Sequence, residues 1–165
     1  MRNIAIVPTR SKPKRIPRKY IRNFGGQPLV ARIIQSAYNS ALLDDVIVLT
    51  EDEEVVHISE KNGAKVLKRV KGVDDDSPLS LVIFSAVREL EEIYKENIDI
   101  VLTLFPRSPL LSSNTIDRVI SKMLEKSDSN SIISVVNDSN REDLIQFRSG
   151  KISKVSDEFS LPASS

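Results

Sequence analysis

Residues 4–29 read IAIVPTRSKPKRIPRKYIRNFGGQPL, and this stretch decides the fold class. Its first four residues are apolar and mostly β-branched, which favours a short strand that is buried on both faces and ends at Pro8. A strongly basic segment follows, and two glycines then lead through Pro28 into apolar residues at helical spacing. A buried strand followed by a polar loop and a helix is typical of α/β proteins.

The rest of the chain alternates apolar patterns of the same two kinds. Helical spacing predicts helices that begin at Pro28, that span Glu51 to Asn62 and Ser77 to Tyr94, and that run from a cap at Ser113 or Asn114 to about Lys126. Short apolar runs predict strands at Val46–Leu49, Lys65–Leu67, Ile98–Leu104 and Ser131–Val136, with a hairpin formed by Leu144–Phe147 and Ile152–Val155. This alternation predicts one three-layer α/β domain over residues 1–165, with a mainly parallel sheet.

Composition excludes several classes of protein. There is no Cys among the 165 residues, which excludes disulfides and Cys-based zinc sites. No apolar run approaches the ~20 residues of a membrane helix. We therefore expect a cytoplasmic protein with no membrane partner.

The balanced charge of the chain hides a segregation. The formal net charge is +1, yet residues 1–43 contain nine Lys or Arg and no acid. Seven of these basic residues fall between Arg10 and Arg22, directly after the first predicted strand. Because ligands of such sheets bind beyond the carboxyl ends of the strands, this position suits a polyphosphate. The alternatives are a solvated basic turn and a nucleic-acid patch, but three prolines stiffen the loop and few aromatic residues interleave with its charges.

Four segments carry a resemblance to a known family. Residues 4–29 are similar to its pattern Ile-Pro-Ala-Arg-Gly-Gly-Ser-Lys-Arg-Ile-Pro-x-Lys-Asn-Ile followed by Phe-Gly-Gly-Lys-Pro-Leu. The others are VIVLTEDEE at 46–54, NGAKV at 62–66 and LFPRSPL at 104–110. In this order and spacing they resemble the acylneuraminate cytidylyltransferases from about Ile4 to Val136.

The resemblance implies a fold and a reaction. The fold is the Rossmann-like fold of nucleotide-diphospho-sugar transferases. The reaction is the activation of a 2-keto sugar acid, similar to sialic acid, by CTP with Mg²⁺, giving a CMP-sugar and pyrophosphate. The partners are then CTP and the sugar acid, with no nucleic acid, in an enzyme that forms a homodimer.

The resemblance also implies site residues. Arg10 and Lys14 contact the phosphates of CTP and are the catalytic candidates. Further nucleotide contacts are implied for Arg15, Lys19, Arg69, Ser80 and Ser108. Metal ligands cannot be assigned.

The sequence departs from the family pattern at several of these positions. Ser11-Lys12-Pro13 replaces Gly-Gly-Ser, and Pro13 has no N–H to offer a phosphate. Tyr20 replaces an Asn, Phe105 replaces a Gln that reads the base, and Arg107 replaces a Thr. The family continues beyond the position of Ser165 into a region with magnesium-binding Asp residues. The alternative is therefore a catalytically impaired or truncated relative that binds a nucleotide or a protein partner.

Other polar residues have simpler interpretations. His57, the only His, is expected on an exposed helix face without a catalytic partner. Asp74-Asp75-Asp76 precede a helix and favour capping over cation binding. Glu51 and Asp52 suit a helix N-terminus and an active site equally well. Gly25-Gly26 lacks the spacing of a dinucleotide fingerprint and indicates a turn.

Overall fold

A parallel sheet with helices on both faces forms the first of two units into which the chain divides, residues 1–130 and 131–165. The structure, a computed structural model, describes residues 1–9, 16–68, 73, 77–125, 131–134, 145–148 and 151–154. The first unit contains β1 (Asn3–Pro8), β2 (Asn23–Phe24), β3 (Gln27–Pro28), α1 (Leu29–Tyr38), β4 (Asp45–Leu49), α2 (Glu53–Lys61), β5 (Lys65–Leu67), α3 (Leu79–Tyr94), β6 (Ile100–Thr103) and α4 (Ser113–Glu125). The second contains β7 (Ile145–Arg148) and β8 (Lys151–Lys154).

The apolar run that opens the chain is the central strand of this sheet. The strand order is β5-β4-β1-β6, and every neighbouring pair is parallel. In β1, Ala5 lies between Val46 of β4 and Leu102 of β6. Ile4 to Val7 are fully buried, as a strand covered on both faces requires. The prediction of a mainly parallel sheet is confirmed.

Alternate residues of β1 point into two separate cores. Ala5 and Val7 pack on the face covered by α1, α2 and α4, whereas Ile4 and Ile6 pack on the face covered by α3. Because successive side chains of a strand point to opposite faces, one uninterrupted apolar run supplies both cores. The three-layer prediction is therefore confirmed. The largest fully buried side chains of both cores are Ile4, Ile6, Ile33, Ile34, Ile47, Ile116 and Ile120.

Several predicted helix boundaries were wrong by one or two residues. The carboxylate of Asp52 accepts hydrogen bonds from the N–H groups of Glu54 and Val55, so α2 begins after it. The hydroxyl of Ser112 accepts from the N–H of Thr115 at 3.3 Å, so Ser112 takes the place expected for Ser113 or Asn114. Pro28 has an extended ψ of 144° and ends β3 instead of entering the first turn of α1.

The apolar residues at helical spacing in α3 are buried only in the middle of the helix. Ala86 and Leu90 lie in the core, but Leu79 and Ile93, near the two ends of the helix, are exposed. The sheet beneath α3 is only as long as its strands of three to six residues, so a helix of 16 residues extends beyond it.

The second unit contains the predicted hairpin. β7 and β8 pair antiparallel, with Phe147 opposite Ile152, which confirms that prediction. The strand expected over Ser131–Val136 is wrong as far as it is described, because residues 131–134 belong to no strand. Its last two residues, like the predicted triad Asp74-Asp75-Asp76, lie outside the described residues. That residues 1–165 form one domain stays a prediction.

Candidate active site

The strand order changes direction between β1 and β6. From β1 the chain moves outward on one side to β4 and β5, and then returns through α3 to β6 on the other side of β1. This reversal marks the point, beyond the carboxyl ends of the strands, where ligands bind in open α/β sheets. The N–H of Leu104 donates to the carbonyl of Ile6 at 2.9 Å, so the β6 loop begins beside β1.

Thr9 fixes the start of the basic loop. Its N–H and its hydroxyl both donate to the carbonyl of Leu49, at 2.9 and 2.8 Å, and the residue is buried. Thr9 therefore continues the pairing of β1 with β4 at the carboxyl edge of the sheet. Of the predicted phosphate contacts, Arg10, Lys14, Arg15 and Arg69 lie outside the described residues.

Tyr20 anchors the end of the basic loop. It belongs to a short 3₁₀ helix, Lys19–Ile21, and its side chain is buried in the core beside α1. The Lys19 ammonium lies 4.9 Å from the centre of the Tyr20 ring. At the position where the family pattern has Asn, this chain therefore has a core side chain. The sequence contained a signal for this, since Tyr20 and Ile21 are adjacent apolar residues in an otherwise polar stretch.

The first turn of α2 supplies acids to the same edge of the sheet. Glu54 forms an ion pair with Arg18, and Glu53 forms one with Lys68 at 3.0 Å. All four side chains are more than half exposed, so each pair contributes little to stability. These pairs occupy two of the cations at this edge.

The loop after β6 is shaped by two successive turns. The N–H of Ser108 donates to the carbonyl of Phe105 at 3.0 Å, and the N–H of Leu111 donates to the carbonyl of Ser108 at 3.2 Å. The Arg107 guanidinium lies 4.4 Å from the centre of the Phe105 ring. Ser108 and Arg107 are exposed, whereas Pro106 is buried beneath them. The loop thus presents a hydroxyl and a cation to solvent beside β1.

Ser80 lies in the first turn of α3, where it is exposed. The first N–H groups of a helix have no partner within it and suit a phosphate. Within the described part of the chain, no hydrogen bond joins Lys19, Ser80 or Ser108 to one another. The topology brings Lys19 and Ser108 to neighbouring loops, while Ser80 follows the loop of the more distant β5.

The described acids do not form a metal site. No group of three His, Asp or Glu that could hold a metal occurs among them. An oxygen of Asp52 caps α2, and Glu53 and Glu54 are paired with cations. We therefore assign no step of a reaction to a metal held by these residues. His57 is exposed on α2, as expected.

With this geometry established, comparison with known proteins identifies the family. A sequence profile described as "Cytidylyltransferase" matches residues 4–157. The chain belongs to the cytidylyltransferase family. This membership confirms the resemblance, and β1 and β6 both lie within the matched residues.

Two relatives of known name show how similar the chain is to other cytidylyltransferases and how much of their length it covers. A pseudaminic acid cytidylyltransferase of Campylobacter jejuni is 34% identical over 126 residues, which are 76% of this chain and 54% of that protein. N-acylneuraminate cytidylyltransferase A of Danio rerio is 31% identical over 132 residues, which are 80% of this chain and 30% of that protein. The chain spans about half the length of the first of these relatives and less of the second.

A solved structure shows the same fold. The CMP:2-keto-3-deoxy-manno-octonic acid synthetase complexed with CTP superposes with a TM-score of 0.61 at 20% identity, over 78% of this chain and 49% of that one. The Rossmann-like nucleotidyltransferase fold is thereby confirmed. None of the helices in the described part of the chain has the length and apolar character that a bilayer crossing requires.

Proposed function

We propose that this chain is a cytidylyltransferase domain that activates a 2-keto sugar acid with CTP. The observation that carries the proposal is that the carboxyl ends of β1 and β6 are adjacent. A segment with seven Lys or Arg follows Thr9 after β1, and the loop that holds Ser108 follows β6. The relatives named above transfer cytidylyl groups to pseudaminic acid and to N-acylneuraminate, according to their names. Both acceptors are 2-keto sugar acids.

The proposed reaction is a displacement at phosphorus. The anomeric hydroxyl of the sugar acid attacks the α-phosphorus of CTP, its oxygen forms a new P–O bond, and its proton passes to solvent or a base. The bond between the α-phosphorus and the oxygen that bridges to the β-phosphorus breaks, and pyrophosphate leaves with the electron pair. Positioning and neutralisation of phosphate charge dominate such reactions. A loop rich in Lys and Arg at the carboxyl edge is suited to both tasks.

The roles of individual residues follow the same proposal. Arg10 and Lys14 bind the phosphates whose charge changes during the reaction. Supporting nucleotide contacts are proposed for Arg15, Lys19, Arg69, Ser80 and Ser108. Of the described residues among them, Ser80 and Ser108 are exposed and Lys19 is half-exposed, so all three are accessible to a ligand.

A divalent metal is typical of the family, and we propose Mg²⁺. A magnesium ion binds through phosphate oxygens with one or two protein carboxylates, so it does not require a cage of acids. A homodimer and a cytoplasmic location are proposed on the resemblance alone.

Pyrophosphate release tests the proposal. The 165-residue chain is incubated with CTP, Mg²⁺ and a panel of sialic, legionaminic, pseudaminic and 3-deoxy-octulosonic acids. We expect release with at least one acid, and Arg10→Ala and Lys14→Ala lower kcat/KM by about a hundredfold because each removes a cation from the phosphates. Arg118→Ala, which removes an exposed cation of α4, is the matched control and leaves turnover unchanged. Absence of release with every acid would refute the proposal for this chain.

A second candidate is a nucleotide-binding relative without turnover. One observation favours it: Phe105, which stands where the family pattern has a base-reading Gln, offers no hydrogen bond to a base. Calorimetric titration with CTP and Mg²⁺ separates the two candidates. Binding without pyrophosphate release supports the second, whereas binding with release supports the first.

A further inference from the structure

Arg32 connects two loops of the candidate active site. It is the fourth residue of α1, is half-buried, and lies on the helix that follows the basic loop. Its Nε donates to the carbonyl of Pro109 at 3.4 Å, and its Nη1 donates to the carbonyl of Phe24 at 3.3 Å. The guanidinium carbon also lies 5.6 Å from the centre of the Phe24 ring. One side chain thus contacts two segments 85 residues apart in sequence.

The first of these segments is the turn between β2 and β3. This turn follows the basic loop and leads into α1. Gly25 within it has a φ of +61°, and its carbonyl is 3.5 Å from Nη1 of Arg32. A Cβ at Gly25 would lie 3.1 Å from the same nitrogen, so a side chain there would push against the guanidinium, and the positive φ favours glycine as well.

The second segment is the loop after β6. Pro109 follows Ser108 directly, and the carbonyl of Ser108 accepts a hydrogen bond from Leu111. A donor that holds Pro109 therefore restrains the turn that presents Ser108. Each hydrogen bond of Arg32 is long and individually weak, but the cation strengthens all of them.

We infer that Arg32 is a positioning residue that fixes the spacing between the Ser108 loop and the segment that closes the basic loop. The inference rests on the proposed function, because it assumes that both loops contact one nucleotide. An arginine suits this task better than a lysine, since its planar group donates in several directions from one fixed plane. A change of about 1 Å in the spacing of binding groups is sufficient to reduce catalysis by about a hundredfold.

The test compares Arg32→Ala, Arg32→Lys and the control Tyr38→Phe. Tyr38 lies in the last turn of the same helix, and its hydroxyl donates to the carbonyl of Gly63. The control therefore also removes a hydrogen bond from α1 to a turn, but this turn lies at the amino ends of the strands, away from the candidate site. The first measurement is hydrogen exchange of the Ser108 and Leu111 amides in the free protein. The second is kcat and KM for CTP.

For Arg32→Ala we expect about tenfold faster exchange at both amides and a fall in kcat/KM of between about tenfold and a hundredfold, mostly in kcat. Arg32→Lys is intermediate in both measurements, because it keeps the charge and loses the planar fork. Tyr38→Phe changes neither. If Arg32→Ala fails to fold, Arg32→Lys provides the same comparison.

The two measurements separate this inference from the proposed function. Unchanged exchange at Ser108 and Leu111 in both Arg32 variants overturns the inference, whether or not the chain is active. An equal loss of kcat/KM in Tyr38→Phe also overturns it, because a general loss of stability then accounts for the effect. If the unsubstituted chain shows no turnover, the proposed function fails, and the exchange rates alone decide whether Arg32 holds the loop.

Discussion

The ammonium of Lys65 lies 2.7 Å from Oδ1 of Asp45, at the amino ends of β5 and β4. The other oxygen of Asp45 accepts a hydrogen bond from Arg2 at 3.2 Å. The ring of Tyr94, at the end of α3, lies 4.4 Å from the Arg2 guanidinium and 4.9 Å from the Lys65 ammonium. This cluster attaches α3 to the end of the sheet where the strands begin, whereas the candidate active site lies where they end. Changes there are expected to alter stability without altering turnover.

Replacement of Asp45 by Asn tests this separation. The substitution removes the charge that Arg2 and Lys65 share, and we expect the free energy of unfolding to fall by about 1 kcal/mol. Turnover of the folded protein is expected to stay within twofold. Urea denaturation and pyrophosphate release measure the two quantities. Glu92→Gln, an exposed acid of α3, is the control and changes neither. A large loss of turnover in folded Asp45→Asn would contradict the separation of the two edges.

The same cluster predicts a loss of stability at high pH. The hydrogen bond from Lys65 to Asp45 raises the pKa of Lys65, and burial, followed by the charge of Asp45, raises the pKa of Tyr94. A group whose pKa is higher in the folded state stabilises the protein below its unfolded value, and this stabilisation is lost as the pH rises through the folded value. The ordinary pKa values are 10.5 and 10.0, so the loss falls above pH 10.

Thermal melting between pH 8 and pH 11 measures this loss. In Asp45→Asn the main cause of the Lys65 shift is gone, so its melting temperature falls less steeply with pH than that of the unsubstituted chain. Parallel pH curves for the two proteins would show that the cluster does not control alkaline stability.

Asp117 of α4 predicts the opposite dependence at low pH. Its carboxylate accepts hydrogen bonds from the hydroxyl of the buried Ser40 and from the N–H groups of Ala41 and Leu42. The Ser40 hydroxyl is the main cause that lowers the pKa of Asp117. A lowered pKa stabilises the folded protein above the ordinary value of 3.8, and the stabilisation is lost as the pH falls through the folded value.

We therefore expect Asp117→Asn to lower the free energy of unfolding by about 1 kcal/mol at pH 7, with a smaller difference below pH ~3. Urea denaturation at the two pH values measures this. Glu125→Gln, at the exposed end of the same helix, is the control and shows no difference at either pH. An effect of Asp117→Asn that is equally large at both pH values would mean that the charge of Asp117 is not what stabilises this turn.

Replacement of Tyr20 by Asn, the residue of the family pattern, tests whether Tyr20 belongs to the core. Because the ring is about nine-tenths buried among apolar side chains of α1, we expect the free energy of unfolding to fall by about 3 kcal/mol. Ile16→Asn changes an exposed apolar residue of the same segment and is expected to cost less than about 1 kcal/mol. Equal losses in the two variants, measured by urea denaturation, would contradict the burial of Tyr20.

The contrast between β1 and the start of α4 shows how much of the fold the sequence could predict. An uninterrupted apolar run is found almost only in a strand covered on both faces, so Ile4 to Val7 indicated the central strand and the α/β class. The helix boundaries were predicted less accurately because neighbouring serines, such as Ser112 and Ser113, are equally good caps. The side-chain geometry that selects Ser112 depends on the path of the loop after β6, which local sequence does not determine.

The candidate site was predictable only in its chemistry. Charge and prolines between Arg10 and Arg22 indicated an anion-binding loop after β1, and the structure places the end of β1 beside β6. Arg32 was missed because it is a single cation in a helical pattern, which usually indicates a solvated face. Its role depends on contacts with Phe24 and Pro109, which are brought together by tertiary structure alone.

Phe105 leads to a prediction about the choice of base. It stands where the family pattern has a base-reading Gln, and its ring is stacked against Arg107. An aromatic ring contacts any base by its face and offers no donor or acceptor to the base edge, so we expect poor discrimination between CTP and UTP. In Phe105→Gln an amide becomes available to the base edge, and the ratio of kcat/KM for CTP to that for UTP is expected to rise about tenfold.

Pyrophosphate release with each nucleotide measures this ratio. The matched control is Leu110→Gln, which places the same amide on the exposed end of the same loop, where Leu110 is 81% exposed. Because Leu110 is exposed within the turn that Leu111 closes, we expect that amide to face solvent and the ratio to stay constant. A ratio that rises equally in both variants would mean that any added amide in this loop changes selectivity. A ratio that rises in neither would mean that the base is bound elsewhere, since an amide at Phe105 could not then reach its edge.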